Sequence, residues 1–145
     1  HTLVYGGSKA GLMGDLAESV LLSGGKVIGV EPQFFIDAGF EYNDITELIV
    51  THDMSERKAK MIELGNAFIT FPGGSGTLEE ISEVISKVML GHMSEPVMIY
   101  NLDGYYNDLK NLFMHMIEKG LCDKKIFEKI RFVENLEEIK KLLNA

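Results

Sequence analysis

The chain has 145 residues, a formal net charge of −8 and 46% hydrophobic residues, which is one domain's worth of chain with enough apolar content for a core and excludes disorder. An acidic chain with no basic stripe is excluded as a nucleic-acid binder through surface charge, so any anion it takes must be met by a local pocket. The longest apolar runs, such as Val20-Leu21-Leu22, fall far short of a bilayer span, and the single cysteine, Cys122, excludes an internal disulfide framework and fits a reducing cytoplasm.

The first residue is His1, and residues 2–5 already read as a strand, so a preceding segment is expected to be missing. From there, short apolar stretches at 3–5, 26–30, 48–50, 67–71, 97–100 and 131–133 predict strands. Stretches with helical periodicity at 12–22, 54–64, 78–90, 106–119 and 136–143 predict helices between and after them. Strict alternation of the two predicts an α/β fold, a doubly wound parallel sheet with helices on both faces, over a single domain 1–145. The stretch 31–47 is the least regular and reads as a loop near the site. In such folds ligands bind at the carboxyl ends of the strands, and most of the glycines fall there: Gly6-Gly7 and Gly11 to Gly14 after the first strand, Gly73-Gly74-Ser75-Gly76 after the fourth, Gly104 after the fifth.

The run Pro72-Gly73-Gly74-Ser75-Gly76-Thr77-Leu78-Glu79-Glu80 is the strongest local signal. Glycines let the main chain turn sharply and present N–H groups, and the helix that follows adds positive charge at its N-terminus, which together make a phosphate cradle. It is not a Walker loop, since no Gly-Lys-Ser/Thr closes it, nor a dinucleotide fingerprint, since Glu79 stands where the third glycine belongs. The ordinary reading is a tight strand–helix connection. Glu80 also has the spacing of a capping box begun by Thr77, and Glu79 that of a favourable charge in a first turn. Against those readings, carboxylates beside a phosphate need a task of their own, such as contacting a ribose or activating water.

Asp53-x-x-Glu56 reads as a capped helix start. Arg57 and Lys58 then fall where the helix dipole disfavours cations. Arg57 also shares a stripe with Met54, Met61 and Leu64, so it needs either a ligand anion or an internal carboxylate unless its head reaches back to solvent. His1, His52, His92 and His115 have no metal-ligand spacing, so no metal site is assigned. Ser8 and Ser75 lack a nucleophile elbow, Cys122 reads as packing, and Met89, Met93 and Met98 as core or interface filler.

These residues together resemble the LOG (Lonely Guy) family, cytokinin riboside 5′-monophosphate phosphoribohydrolases once catalogued as possible lysine decarboxylases. Pro72 to Glu80 is similar to the family's PGGxGTxxE signature. Val4-Tyr5-Gly6-Gly7 with Gly11-Leu12-Met13-Gly14, Gly25 to Val30, Arg57-Lys58-x-x-Met61 and Asn101-Leu102-Asp103-Gly104-Tyr105-Tyr106 match further segments in the same order. The resemblance covers nearly the whole chain. It implies a Rossmann-like fold, a missing first strand and helix, a homodimer, and hydrolysis of the N-glycosidic bond of a nucleoside 5′-monophosphate with no cofactor. It implies Arg57 and Glu80 as the catalytic pair, and Lys58, Gly73, Gly74, Ser75, Gly76, Thr77, Glu79, Gly7 and Met13 as substrate-binding positions. The sequence departs from the family at Ser55, Gly39 and 86–91, which leaves the base of the substrate open. The competing expectation is a nucleotide- or molybdenum-cofactor-binding protein of the same fold that cleaves nothing; Arg57-Lys58 and Glu79-Glu80 favour the enzyme. A pyridoxal-phosphate decarboxylase is disfavoured, because no lysine Schiff-base motif is recognisable. Ile81, Ile85, Val88 and Met89 are expected to give the 78–90 helix an apolar surface at the dimer interface.

Overall fold

The computed structural model describes residues 1–144 and falls into two compact units, His1–Gly65 and Asn66 onward. The first unit runs β1 (Thr2–Tyr5), α1 (Gly11–Leu22), β2 (Lys26–Pro32), α2 (Gln33–Asp37), β3 (Glu47–Thr51) and α3 (Met54–Leu64). The second runs β4 (Phe68–Thr70), α4 (Ser75–Met89), β5 (Val97–Tyr100), a 3-10 turn (Leu102–Gly104), α5 (Asn107–Glu118), α6 (Lys124–Phe127), β6 (Ile130–Val133) and α7 (Leu136–Leu143).

Each unit holds a three-stranded, fully parallel sheet, ordered β1-β2-β3 and β4-β5-β6. The α/β class and its Rossmann-like character, expected from the alternation of strand and helix patterns, are therefore present. β2 carries the centre of the first sheet, and Val27 and Val30 on it are fully buried. Tyr5, Ala17 and Val27 form the core there, with Leu3, Val20, Leu21, Tyr42 and Ile45 packed around them. In the second unit β5 is central; Val97, Met98 and Ile99 lose nearly all their surface, and Met98 packs with Val133 and Ile139. Such continuous burial along a strand is what apolar runs without alternation lead one to expect of a parallel sheet.

Several boundaries differ from the sequence expectation. α4 starts at Ser75 rather than 78, and its N-cap is Gly74, which has no side chain to cap with. Thr77 is thus inside the helix, and the capping-box reading of Thr77 and Glu80 is wrong; so is the reading of Glu79 as a first-turn charge, since the first turn of α4 carries no acid. The stretch 31–47 is not a plain loop, because β2 continues to Pro32 and α2 follows directly. Of the apolar face expected for association, Ile81, Ile85 and Val88 are buried, each 5% exposed or less, and Met89 is half-buried; the large apolar groups exposed at the two ends of α4 are Leu78 and Leu90.

Candidate active site

In the first unit the carboxyl ends of β1 and β2 meet the first turn of α3. Asp53 caps that helix, its carboxylate accepting from Ser55 N and Glu56 N at 2.8 Å each. Those two N–H groups hold the Asp53 carboxyl below its ordinary range. Glu56 in turn accepts from His52 N at 2.6 Å, so the capped start expected from Asp53-x-x-Glu56 forms, with the glutamate reaching one residue further back than a standard capping box.

The cap directs Arg57 inward. It is 7% exposed, so its head does not reach back to solvent. Nε donates to Val30 O at 3.0 Å and Nη2 to Gly6 O at 3.3 Å, and Nη1 lies 3.7 Å from Met54 Sδ. Two strand ends therefore grip one guanidinium through their carbonyls. Gly6 is needed for this on space alone, since a Cβ there would land on Nη2 and stand 3.2 Å from Cζ and 3.4 Å from Met13 Sδ. Met13, at the start of α1, thus belongs to the same neighbourhood as Arg57. Gly7 has φ +87°, a conformation that L side chains rarely adopt, and a Cβ on it would come within 2.9 Å of Glu31 Cβ. Lys58 follows on α3 and is half-buried.

Glu31 is a site residue that the sequence reading did not single out. It ends the apolar run of β2, is 1% exposed, and its Oε2 has no hydrogen-bond partner. Burial raises its pKa above the usual carboxylate value; the Arg57 guanidinium pulls it back and Glu41 pushes it up. Tyr5, whose hydroxyl is also buried without a partner, is pushed up to about 12 by burial, with Glu31 and Tyr42 adding to it. The one available signal was an acid closing an otherwise apolar strand.

In the second unit β4 feeds the glycine turn into α4. Gly74, Ser75 and Gly76 are exposed and Thr77 is half-buried. Leu78 N closes the first helical bond onto Gly74 O at 3.1 Å, and no side chain caps the helix. Helix geometry leaves the first N–H groups without intrahelical partners, and they point where an anion would sit. Gly73 cannot carry a side chain, because a Cβ on it would strike the Thr77 side chain. Glu79 is exposed and Glu80 half-buried, on the next turn of α4. The turn is braced from 101–107: Tyr105 Oη donates to Gly73 O and Tyr106 Oη to Phe71 O, both at 2.7 Å. Neither tyrosine was assigned a role from sequence, since both contacts span more than 30 residues. Arg57 and Lys58 thus stand on α3 of the first unit, and Glu79 and Glu80 on α4 of the second.

Among the described residues no group of three or more His, Cys, Asp or Glu could hold a metal ion, and no helix is long and apolar enough to cross a membrane.

Residues 13–143 match the family model described as "Possible lysine decarboxylase". A protein of Rhodococcoides fascians named cytokinin riboside 5′-monophosphate phosphoribohydrolase is 41% identical over 136 residues, which is 93% of this chain and 69% of that protein. Two Arabidopsis thaliana proteins of the same name are also similar, LOG5 at 42% over 118 residues and LOG3 at 38% over 141 residues. These alignments take in 81% and 97% of this chain, and 52% and 66% of the respective relatives. The chain thus spans between half and two-thirds of the plant relatives' length. With the glycine turn, the buried arginine and the parallel α/β fold in place, a match of this extent shows that the chain belongs to the LOG family, catalogued as possible lysine decarboxylase.

Proposed function

We propose that the chain hydrolyses the N-glycosidic bond of a nucleoside 5′-monophosphate, AMP or a cytokinin riboside 5′-monophosphate, to the free base and ribose 5-phosphate. The observation that carries this reading is the start of α4: a glycine N-cap with no capping side chain, on a helix that carries Glu80 within its second turn. The phosphate docks on the N–H groups of Gly74, Ser75, Gly76 and Thr77, and its binding energy holds C1′ in place for reaction. Cleavage passes through an oxocarbenium-like state, by analogy with glycosidases. The Glu80 carboxylate stabilises that cation and takes a proton from the water whose hydroxide adds to C1′, while the base departs with its bonding electron pair and is protonated in turn, so that the proton lost by water balances the one gained by the base. On the family resemblance Arg57 is the catalytic partner of Glu80, holding the phosphate or the leaving base, and Glu79 positions the ribose. Lys58, Gly7 and Met13 complete the substrate's surroundings.

On this reading residues 1–145 act as one nucleotide-binding domain of a homodimer in the cytoplasm; the resemblance to the LOG family supports the assembly, and the single cysteine supports the compartment. Light scattering at micromolar concentration tests the assembly, and a monomer mass counts against it. The activity is tested by incubating the full-length protein with AMP and following adenine and ribose 5-phosphate by chromatography. Stoichiometric appearance of both products supports the reading. Binding of AMP with the nucleotide returned intact overturns it in favour of a carrier or binding protein.

A further inference from the structure

The turn after β5 is costly to build. Asp103 has φ 51° and Gly104 φ 77°, two successive residues in the left-handed region, where a non-glycine residue is uncommon. Asn101, 5% exposed, holds the turn closed: its Oδ1 accepts from Tyr106 N at 2.7 Å, and its Nδ2 donates to Asn107 Oδ1 at 2.9 Å. Gly104 N and Tyr105 N donate back to Asn101 O and Leu102 O. The product of this investment is a pair of adjacent tyrosines, rings perpendicular at 4.9 Å, whose hydroxyls both reach the glycine turn before α4.

The two hydroxyls act on different peptide planes. In a trans peptide the C=O of one residue and the N–H of the next point in opposite directions. None of the described peptide bonds is cis, so fixing Gly73 O toward Tyr105 fixes the Gly74 N–H on the opposite side. Tyr106 instead fixes Phe71 O, and the nitrogen in that plane belongs to Pro72, which has no hydrogen. Tyr106 is buried, whereas Tyr105 is 56% exposed and so contributes little core.

We propose that Tyr105 is a positioning residue for substrate phosphate: its hydroxyl sets the Gly73–Gly74 peptide plane and so aims the Gly74 N–H, while Tyr106 serves only to hold the turn. This rests on the reading of the glycine turn as the phosphate seat.

The test uses the full chain and its Tyr105→Phe and Tyr106→Phe variants. AMP hydrolysis is followed at steady state, ribose 5-phosphate binding by calorimetry, and unfolding by heat. Tyr105→Phe is expected to raise KM for AMP and Kd for ribose 5-phosphate about three- to tenfold, the usual worth of one neutral hydrogen bond, with kcat and Tm unchanged. Tyr106→Phe is expected to lower Tm and leave KM unchanged. Wild-type affinity in Tyr105→Phe overturns the proposal, as does an equal rise of KM in both variants, which would make the pair a general brace. Absence of both ribose 5-phosphate binding and AMP hydrolysis in the wild type overturns the phosphate-seat reading itself, and the proposal with it.

Discussion

Gly6→Ala tests the placement of Arg57 without touching its side chain. Gly6 is not among the glycines with positive φ, so alanine adopts its main-chain conformation without strain. The added Cβ, however, lands on Arg57 Nη2 and stands 3.2 Å from Cζ, against roughly 3.5–4.0 Å for a relaxed carbon contact. The fork must withdraw by on the order of an ångström. The Nη2 bond to Gly6 O, already 3.3 Å long, does not survive that shift, and a buried hydrogen bond from a charged group is worth roughly 1.5–3 kcal/mol. In a domain of this size that predicts a fall in Tm of several degrees. A displacement of about 1 Å in a group that positions substrate costs about 10²-fold in rate, so kcat/KM for adenine release from AMP should fall by that order. Combined with Arg57→Ala, Gly6→Ala should add nothing, because the group it displaces is gone. Turnover within about twofold of wild type in Gly6→Ala, or losses that add in the double variant, would refute the reasoning.

Glu80→Gln should lower kcat by about 10²–10⁴-fold, the range for a general acid–base group, and largely keep AMP binding, because the glycine turn before α4 is untouched; near-normal adenine release would remove it from the chemistry. Gly74→Val should fold normally, since Gly74 has φ −87° and open space around its Cβ position, yet lose ribose 5-phosphate binding in calorimetry; retained binding would move the phosphate elsewhere. Glu31→Gln should show a pH-dependent stability difference. The folded chain holds a proton on Glu31 at pH values where the unfolded chain has lost it, so wild-type stability falls as pH rises from the ordinary carboxylate value through the raised one. Glutamine has no such titration, and the variant should gain on wild type in Tm as pH rises above the ordinary carboxylate value; a constant difference would show that the Glu31 pKa is not raised in the folded chain.

What could be read in the sequence was what repeats or caps locally. α3 is found at the expected residues, Met54–Leu64, because Asp53 announces its start with a side chain. α4 was placed three residues late because its start is announced by the lack of one: Gly74 caps without a carboxylate or hydroxyl, and the nearby Thr77 offered a false candidate. Arg57 could be expected to face inward from its stripe, but Gly6 O and Val30 O, which accept from it, are main-chain atoms that no residue type reveals. Glu31 has no periodic signature, being a single acid in an apolar strand, and it matters only because the fold buries it beside Arg57. The tyrosine contacts depend on two segments more than 30 residues apart meeting within hydrogen-bonding distance, and nothing in the spacing of either segment encodes that.

The strand order within each unit bears on how the chain acquires its shape. β1-β2-β3 and β4-β5-β6 are each laid down in sequence order, so every ladder joins a strand to its immediate successor, as Thr2 to Lys26 and Phe68 to Val97. Among the described residues, no ladder within either unit waits for a strand beyond the next one. Within each unit, the entropy of closing long loops, which slows sheets assembled from distant segments, is therefore incurred over one crossover at a time. During synthesis the pairing of β1 with β2 requires only that α1 and its flanking turns have emerged, and the glycine turn before α4 is in place on its strand before the tyrosines that brace it have been made.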